Sequence, residues 1–192
     1  MNSSLYLLVG FIGVILIVEV LNSRIDHSLN AYGIVPRTPA GLAGIISSPF
    51  LHGSYLHVQS NAVGLLALGT LAVIRSGSRF PLICLIIILA GGLGVWAIGR
   101  AATHVGASRL VFGLFGYLLV RGALDRSILS VLVAAVVTGV FGWMIFYGVL
   151  PTNTYVSWEG HLFGLAAGAL AAIIAGGQEP SLRQDQASRR AA

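Results

Sequence analysis

Long apolar runs alternate with short polar segments along most of this chain. A helix needs about 20 apolar residues to cross the hydrocarbon core of a bilayer. Six runs reach or approach that length, and polar or turn-forming residues separate them. The pattern therefore predicts an all-α polytopic membrane protein with six transmembrane helices. The predicted spans cover residues 5–21, 54–74, 80–98, 108–123, 128–150 and 157–175.

The connection between the first and second spans, residues 22–51, differs from the other connections. Structureless loops of this length are uncommon in compact domains. This one is rich in Ile, Leu, Ala and Gly, and residues 40–51 are apolar but too few to span a bilayer. We predict that this first outer loop is partly embedded in the outer leaflet.

The composition supports a membrane protein. Only 9% of the residues are charged, against about 25% in soluble globular domains, which excludes a typical soluble fold. The N-terminal run lacks the preceding positive charge and the following cleavage site of a signal peptide, so we interpret it as a retained span. We predict one membrane domain over residues 1–177 and a polar, disordered cytoplasmic tail over residues 178–192.

The net charge of +5 comes from arginine, since the chain has no lysine. These arginines stand singly or in pairs between apolar runs, whereas nucleic-acid binding needs a basic patch on a soluble face. They are therefore topology signals, and no nucleic-acid partner is predicted. With the N-terminus inside, seven arginines are cytoplasmic and four are outside. The positive-inside rule then predicts a multi-pass protein with both termini in the cytoplasm.

Four polar residues stand out in the predicted spans, where such residues are usually functional. His57 and Asn61 are four residues apart at the start of the second span, which places them on one helix face. Ser108 opens the fourth span, and His161 lies near the start of the sixth. In the predicted topology all three spans run inward from these residues, so the four side chains share one depth.

These residue types match the needs of acyl transfer. A serine hydroxyl such as that of Ser108 becomes a good nucleophile when a neighbouring base takes its proton. His161 can be that base, because an unperturbed histidine titrates near neutrality. The reaction also develops an oxyanion, which needs fixed hydrogen-bond donors. His57 and Asn61 can supply them, together with the Ser108 amide at a helix start.

Each feature has a structural reading of its own. A serine at a helix start is more often a cap. A lone histidine near a span end is more often an interfacial anchor or a satisfied buried group, which we expect for His27 and His104. The single cysteine, Cys84, is read as a small buried hydrophobe. It is the convergence of nucleophile, base and oxyanion donors on one reaction that favours catalysis.

The sequence resembles the rhomboid family of intramembrane serine proteases, in its bacterial six-span form, over roughly residues 36–168. By this resemblance Ser108 and His161 are the catalytic dyad, and His57 and Asn61 line the oxyanion site. The resemblance is carried by the stretch Gly33-Ile-Val-Pro-Arg37, the H-x4-H-x3-N spacing of His52, His57 and Asn61, the triplet Gly106-Ala-Ser108, and His161 followed by Gly164 and Gly168.

The resemblance implies a rhomboid-like bundle in a bacterial inner membrane, which cleaves single-span or polytopic membrane proteins in the bilayer. It assigns His52 a structural or accessory role beside the oxyanion site, where the small residue Gly106 leaves room for the substrate. Gly164 and Gly168 would let the fourth and sixth spans pack closely. The resemblance implies no acidic third catalytic residue beside the dyad, and it implies no cofactor and no metal ion.

The chain departs from the family pattern at several positions. Arg109 follows the nucleophile where the family usually has glycine, and we expect this long cation to alter substrate access. Phe112 replaces a tyrosine that often stacks on the catalytic histidine, and Gly160 replaces an alanine. The Trp-Arg pair often found in the first outer loop is not apparent.

Two other functions are compatible with the sequence. The first is a catalytically impaired rhomboid-like protein that binds membrane clients, a reading to which only Arg109 points. The second is a small transporter or channel, although no repeated half is visible. For a protease, we expect a gate formed by residues 151–156 and the outer end of the fifth predicted span, with Trp143 and Phe146 packed against the second predicted span.

Overall fold

The computed structural model describes residues 2–125, 128–152 and 156–175, and these residues are almost entirely helical. The predicted tail, residues 178–192, lies outside them. Short 3-10 helices cover Ser28–Tyr32, Ser48–Phe50 and Gly77–Arg79, and a π-helical turn, Leu65–Gly69, joins α3 to α4. The α-helices are α1 Asn2–Ser23, α2 Pro39–Ser47, α3 Tyr55–Gly64, α4 Thr70–Ser76, α5 Phe80–Ile98, α6 Ser108–Asp125, α7 Ile128–Gly148 and α8 Trp158–Ile174.

The prediction of an all-helical, apolar protein is confirmed. Within the described residues, three helical stretches are long and apolar enough to cross a membrane, namely Ser3–Ser23, Tyr55–Ile98 and Ser130–Gly148, and Trp158–Ile174 is a shorter apolar helix. The second stretch is two arms rather than one rod, because the chain turns at Gly77, where φ is +57°. Such a left-handed conformation favours glycine.

The helices run back and forth between two ends of the molecule. At the first end, which we call the site end, the hydroxyl oxygens of Ser23 and Tyr55 are 2.7 Å apart. The last turn of α1 therefore meets the first turn of α3. At the same end, Nδ1 of His104 and Oγ of Ser157 are 2.6 Å apart, which joins the connection before α6 to the start of α8.

Two side-chain contacts define the opposite end. Ser4, near the start of α1, donates to the carbonyl of Gly77 over 2.8 Å. Arg79, just before α5, donates to the carbonyl of Ala175 at the end of α8 over 2.9 Å. Each long helix thus begins at one end and finishes at the other, as the alternating apolar runs require.

The helix α6 forms the centre of the bundle and packs most extensively against α8. An added Cβ at Gly168 would lie 1.8 Å from the carbonyl oxygen of Gly113, and one at Gly164 would lie 2.3 Å from that of Arg109. The two helices therefore touch backbone to backbone, which brings together side chains near their first turns. The close packing that the resemblance implied for Gly164 and Gly168 is present.

The first outer loop is ordered against α5. Thr38 caps α2 by accepting from the amide of Gly41, and its carbonyl accepts from the Trp96 indole over 2.8 Å. The buried face of α2 includes Ile45, whereas Leu42 and Ile46 are exposed. An apolar outward face of this kind suits contact with lipid, and the embedding of this loop stays a prediction.

Candidate active site

Ser108 and His161 face each other across the contact between α6 and α8. The Oγ of Ser108 lies 2.9 Å from Nε2 of His161, which is hydrogen-bonding distance for a nucleophile and its base. Ser108 is the first residue of α6, and His161 lies in the first turn of α8. The pair forms because Gly164, one turn along α8, allows the two backbones to approach.

The end of α7 orients the His161 ring. Nδ1 of His161 is 2.7 Å from the carbonyl oxygen of Gly148. Since a carbonyl oxygen can only accept, Nδ1 carries the hydrogen and Nε2 presents its lone pair to Ser108. The imidazole is thus held in the tautomer that a general base requires, by a backbone group rather than a carboxylate.

Phe112 completes the support of His161. The two rings are stacked, with centroids 3.9 Å apart and planes 11° from parallel. Replacing the tyrosine that the family often has therefore leaves the stacking intact. An added Cβ at Gly148 would lie 2.3 Å from Phe112 Cζ and 3.1 Å from His161 Nδ1, so this corner accepts only glycine without a shift.

His57, Asn61 and Gly106 come together beside Ser108. Gly106 has φ +115°, and an added Cβ there would lie 2.7 Å from the His57 ring and 3.6 Å from Nδ2 of Asn61. This Nδ2 is buried and has no hydrogen-bond partner among the described residues. Ser54 sets the start of α3 by accepting from the His57 amide over 3.2 Å. The structure therefore brings His57 and Asn61 to the cavity that Ser108 also lines, and their role as oxyanion donors stays a prediction.

His52 supports the backbone that precedes Ser108. Its Nε2 accepts from the Ala107 amide over 3.3 Å, and its ring meets the His57 ring edge to face at 5.0 Å. Burial, followed by the nearby His57, lowers the pKa of His52 to about 3. A neutral ring is what the acceptor role of Nε2 requires, so the geometry fits the structural role implied by the resemblance.

His104 is a satisfied buried group, one of the two expectations for it. Its Nε2 donates to the Arg100 carbonyl over 3.2 Å, which leaves Nδ1 to accept from the Ser157 hydroxyl. Burial lowers the pKa of His104, in keeping with this neutral tautomer. Ser157 in turn accepts from the Gly160 amide and caps α8, so His104 helps to place the helix that carries His161.

The expectation for Arg109 was wrong. This side chain is only 5% exposed and does not line the cavity around Ser108. Its guanidinium instead donates to the Ile45 carbonyl and to Oγ of Ser48. Successive helical residues are about 100° apart around the axis, so the residue after Ser108 points toward α2 and α5 rather than toward the substrate.

Two buried polar residues near the site were missed by the sequence analysis. Glu19 is fully buried in α1, and its Oε1 lies 3.0 Å from Nε2 of His27. The sequence could have pointed to Glu19, because a carboxylate inside an apolar run is usually functional. The second is Ser48, whose backbone carbonyl accepts a hydrogen bond from the Gly106 amide over 2.9 Å. No local pattern marked Ser48, because its partners are distant in sequence.

A cavity of about 930 Å³ opens around the dyad. Its volume is typical of ligand-binding clefts. Ser108, His161, His57 and Asn61 all line it, together with residues from the end of α7 such as Met144. Within the described parts of the chain, no group of three His, Cys, Asp or Glu side chains is placed to hold a metal ion.

The expected packing of the gate residues is not what the structure shows. Trp143 and Phe146 are 72% and 57% exposed, and their ring contacts are with Tyr147 of the same helix. Their side chains point outward from α7 because Met144 and Tyr147 occupy the face toward the cavity. Residues 153–155 of the expected gate lie outside the described residues.

Comparison with known families settles the membership of this chain. A model of the Rhomboid domain matches residues 39–178, which is well over half of the sequence. The chain belongs to the rhomboid family. Members of this family are generally serine intramembrane proteases that act on membrane proteins within the bilayer.

Mycobacterial proteins are among the relatives of this rhomboid-family chain. An uncharacterized protein of Mycobacterium tuberculosis (strain ATCC 25618 / H37Rv) is 35% identical, in an alignment covering 90% of this chain and 75% of the relative. An uncharacterized protein of Mycobacterium leprae (strain TN) is 31% identical over 90% of this chain and 72% of the relative. The integral membrane character of the chain rests on the Rhomboid domain match and on its long apolar helices.

Proposed function

We propose that this protein is an intramembrane serine endopeptidase that cleaves peptide bonds in transmembrane segments, with Ser108 as nucleophile and His161 as general base. The observation that carries the proposal is the 2.9 Å contact between Oγ of Ser108 and Nε2 of His161. It is strengthened by the bond from Nδ1 to Gly148, which leaves Nε2 free to accept the proton.

The reaction follows from these positions. Oγ of Ser108 attacks the scissile carbonyl carbon while its proton moves to Nε2 of His161. The resulting oxyanion accepts hydrogen bonds from His57, Asn61 and the Ser108 amide. Protonated His161 then donates to the leaving nitrogen, and the C–N bond breaks. A water molecule then attacks the acyl ester and passes a proton to His161. The ester C–O bond breaks, and His161 returns that proton to Oγ of Ser108.

The same proposal includes six membrane crossings with the site end outside. Arg75, Arg79 and Arg121 lie at the end opposite the site, where Arg75 and Arg121 both pair with Asp125. In the six-span topology seven arginines of the sequence fall on this side and four on the site side, and cytoplasmic connections are enriched in arginine. We therefore assign this end, with both termini, to the cytoplasm. The substrates of this protein are then single-span or polytopic proteins of the same membrane, and they reach the site from the outer leaflet.

An inactive client-binding protein is not favoured. Arg109 was the sequence feature that pointed to it, and this side chain leaves the cavity free. A direct experiment is to reconstitute the purified protein in vesicles with a panel of single-span substrates and to treat it with a fluorophosphonate probe. We expect cleavage within or next to a transmembrane segment and labelling of Ser108. Absence of both would reject the protease function.

The proposed oxyanion donors make a prediction about kcat. His57→Ala and Asn61→Ala should each lower kcat by up to about 100-fold, because their hydrogen bonds strengthen as charge develops on the substrate oxygen. KM should change much less. Some activity should survive each single substitution, since the Ser108 amide and the other side chain still donate.

Steady-state kinetics on one transmembrane substrate would measure this. Gln59→Ala is the matched control, because Gln59 carries an exposed carboxamide on the same helix as Asn61. An unchanged kcat in both the His57 and the Asn61 variants would exclude the proposed role.

A further inference from the structure

The guanidinium of Arg109 is enclosed at the junction of α6, α2 and α5. It donates to the Ile45 carbonyl over 3.2 Å and to Oγ of Ser48 over 3.1 Å. Its stem packs on α5, where an added Cβ at Gly91 would lie 3.1 Å from Arg109 Cδ. Burying a cation is unfavourable unless it is well hydrogen-bonded. The Ile45 carbonyl and the Ser48 hydroxyl must therefore stay within hydrogen-bonding distance of the guanidinium.

Ser48 joins this cation to the segment before the nucleophile. It is buried, its hydroxyl accepts from Arg109, and its carbonyl accepts from the Gly106 amide over 2.9 Å. Gly106 in turn lies against His57 and Asn61. A short path of hydrogen bonds and contacts therefore runs from Arg109 through Ser48 to the proposed oxyanion donors.

The two ends of this path belong to different parts of the fold. Ser48 lies in the first outer loop, while Gly106 and Arg109 flank the start of α6 on either side of Ser108. Arg109 and Gly106 thus hold the same loop residue from two directions. Without the cation, Ser48 would keep only one of these two bonds, and the loop could shift relative to α6.

We propose that Arg109 is a positioning residue for the oxyanion site, acting through Ser48 on Gly106; this rests on the proposed protease function. The proteases that the sequence resembles usually have glycine at this position, so Arg109 is a departure from that pattern. A misplacement of about 1 Å in a catalytic group can lower the rate about 100-fold, which makes a remote anchor consequential.

Substitutions at both ends of the contact test this. Arg109→Met keeps the apolar stem and removes the donors, and it should lower kcat about 10- to 100-fold with KM almost unchanged. Ser48→Ala should lower kcat through the same path, and the double variant should be no slower than the slower single variant, since coupled residues are non-additive. Arg109→Lys, which retains one donor group, should recover part of the rate.

Arg37→Met is the matched control, because Arg37 is an exposed arginine at the site end that donates to the carbonyls of Ala97 and Gly99. It should retain the wild-type kcat. The rate of fluorophosphonate labelling should fall in parallel with kcat in the Arg109 and Ser48 variants. Thermal unfolding of each variant separates a loss of rate from a loss of folded protein.

Three results would overturn the inference. The first is a wild-type kcat in folded Arg109→Met. The second is a loss of kcat in the variants that is fully explained by their unfolded fraction. The third is a double variant whose loss of kcat equals the combined losses of the two single variants. If Arg109→Met does not fold, Ser48→Ala and Arg109→Lys decide the question by the same criteria. Failure of the wild type both to cleave and to label would reject the protease function itself, whereas an active wild type with unaffected variants rejects only the role of Arg109.

Discussion

Replacing Ser108 by alanine should abolish proteolysis and leave the fold intact. The substitution removes one oxygen, whose hydrogen bond in the structure is to Nε2 of His161. Without the nucleophile no acyl-enzyme forms, so we expect kcat to fall by at least about 10⁴-fold. The helix start is retained, because α6 still packs on α8 through Gly164 and Gly168.

The measurement is cleavage of a single-span substrate by purified protein, with thermal unfolding as the test of folding. Ser60→Ala is the control, since Ser60 also lines the cavity but its hydroxyl bonds to the Leu56 carbonyl of its own helix. Substantial residual cleavage by Ser108→Ala, free of contaminating protease, would show that another residue is the nucleophile.

Gly168→Ala should both destabilise the protein and slow catalysis. The added methyl would lie 1.8 Å from the Gly113 carbonyl oxygen, which no side-chain rotation can relieve. Overpacking of this kind costs about 1–3 kcal/mol, occasionally more. The helices must separate, and that movement also lengthens the contact between Ser108 and His161.

Gly139→Ala in α7 is the matched control. An added Cβ there meets nothing within 4 Å, and alanine is favoured over glycine in a helix by about 1 kcal/mol. We therefore expect a lower midpoint of thermal unfolding and a lower kcat for Gly168→Ala, and neither for Gly139→Ala. Equal midpoints and equal rates in the two variants would contradict the backbone contact between α6 and α8.

The helices were predictable because bilayer-length apolar runs are a local property of the chain. Each of the six predicted spans coincides with helix, with ends that differ by a few residues. Residues 54–74 illustrate the limit of the pattern. The apolar run predicted the helix, but it carried no sign of the π-helical turn at Leu65–Gly69, which depends on how this segment packs in the bundle.

The sequence was enough to propose which residues form the candidate site. His57 and Asn61 share a helix face through their spacing alone, and Ser108 and His161 begin helices that enter from the same end. Their residue types already define a nucleophile, a base and hydrogen-bond donors. The distance between Ser108 and His161 was not predictable, because it depends on glycine contacts between helices more than 50 residues apart in sequence.

What the sequence by itself determined about this protein is its helical, apolar character, the common end of its candidate catalytic residues and its resemblance to the rhomboid family. Only the tertiary structure decided the tautomer of His161, through the Gly148 carbonyl, and the direction of Arg109, which is buried on Ser48 rather than placed beside the substrate. The physical reason is that periodicity and spacing act within one helix. The partner of a buried donor is selected by the packing of segments that are distant in the chain.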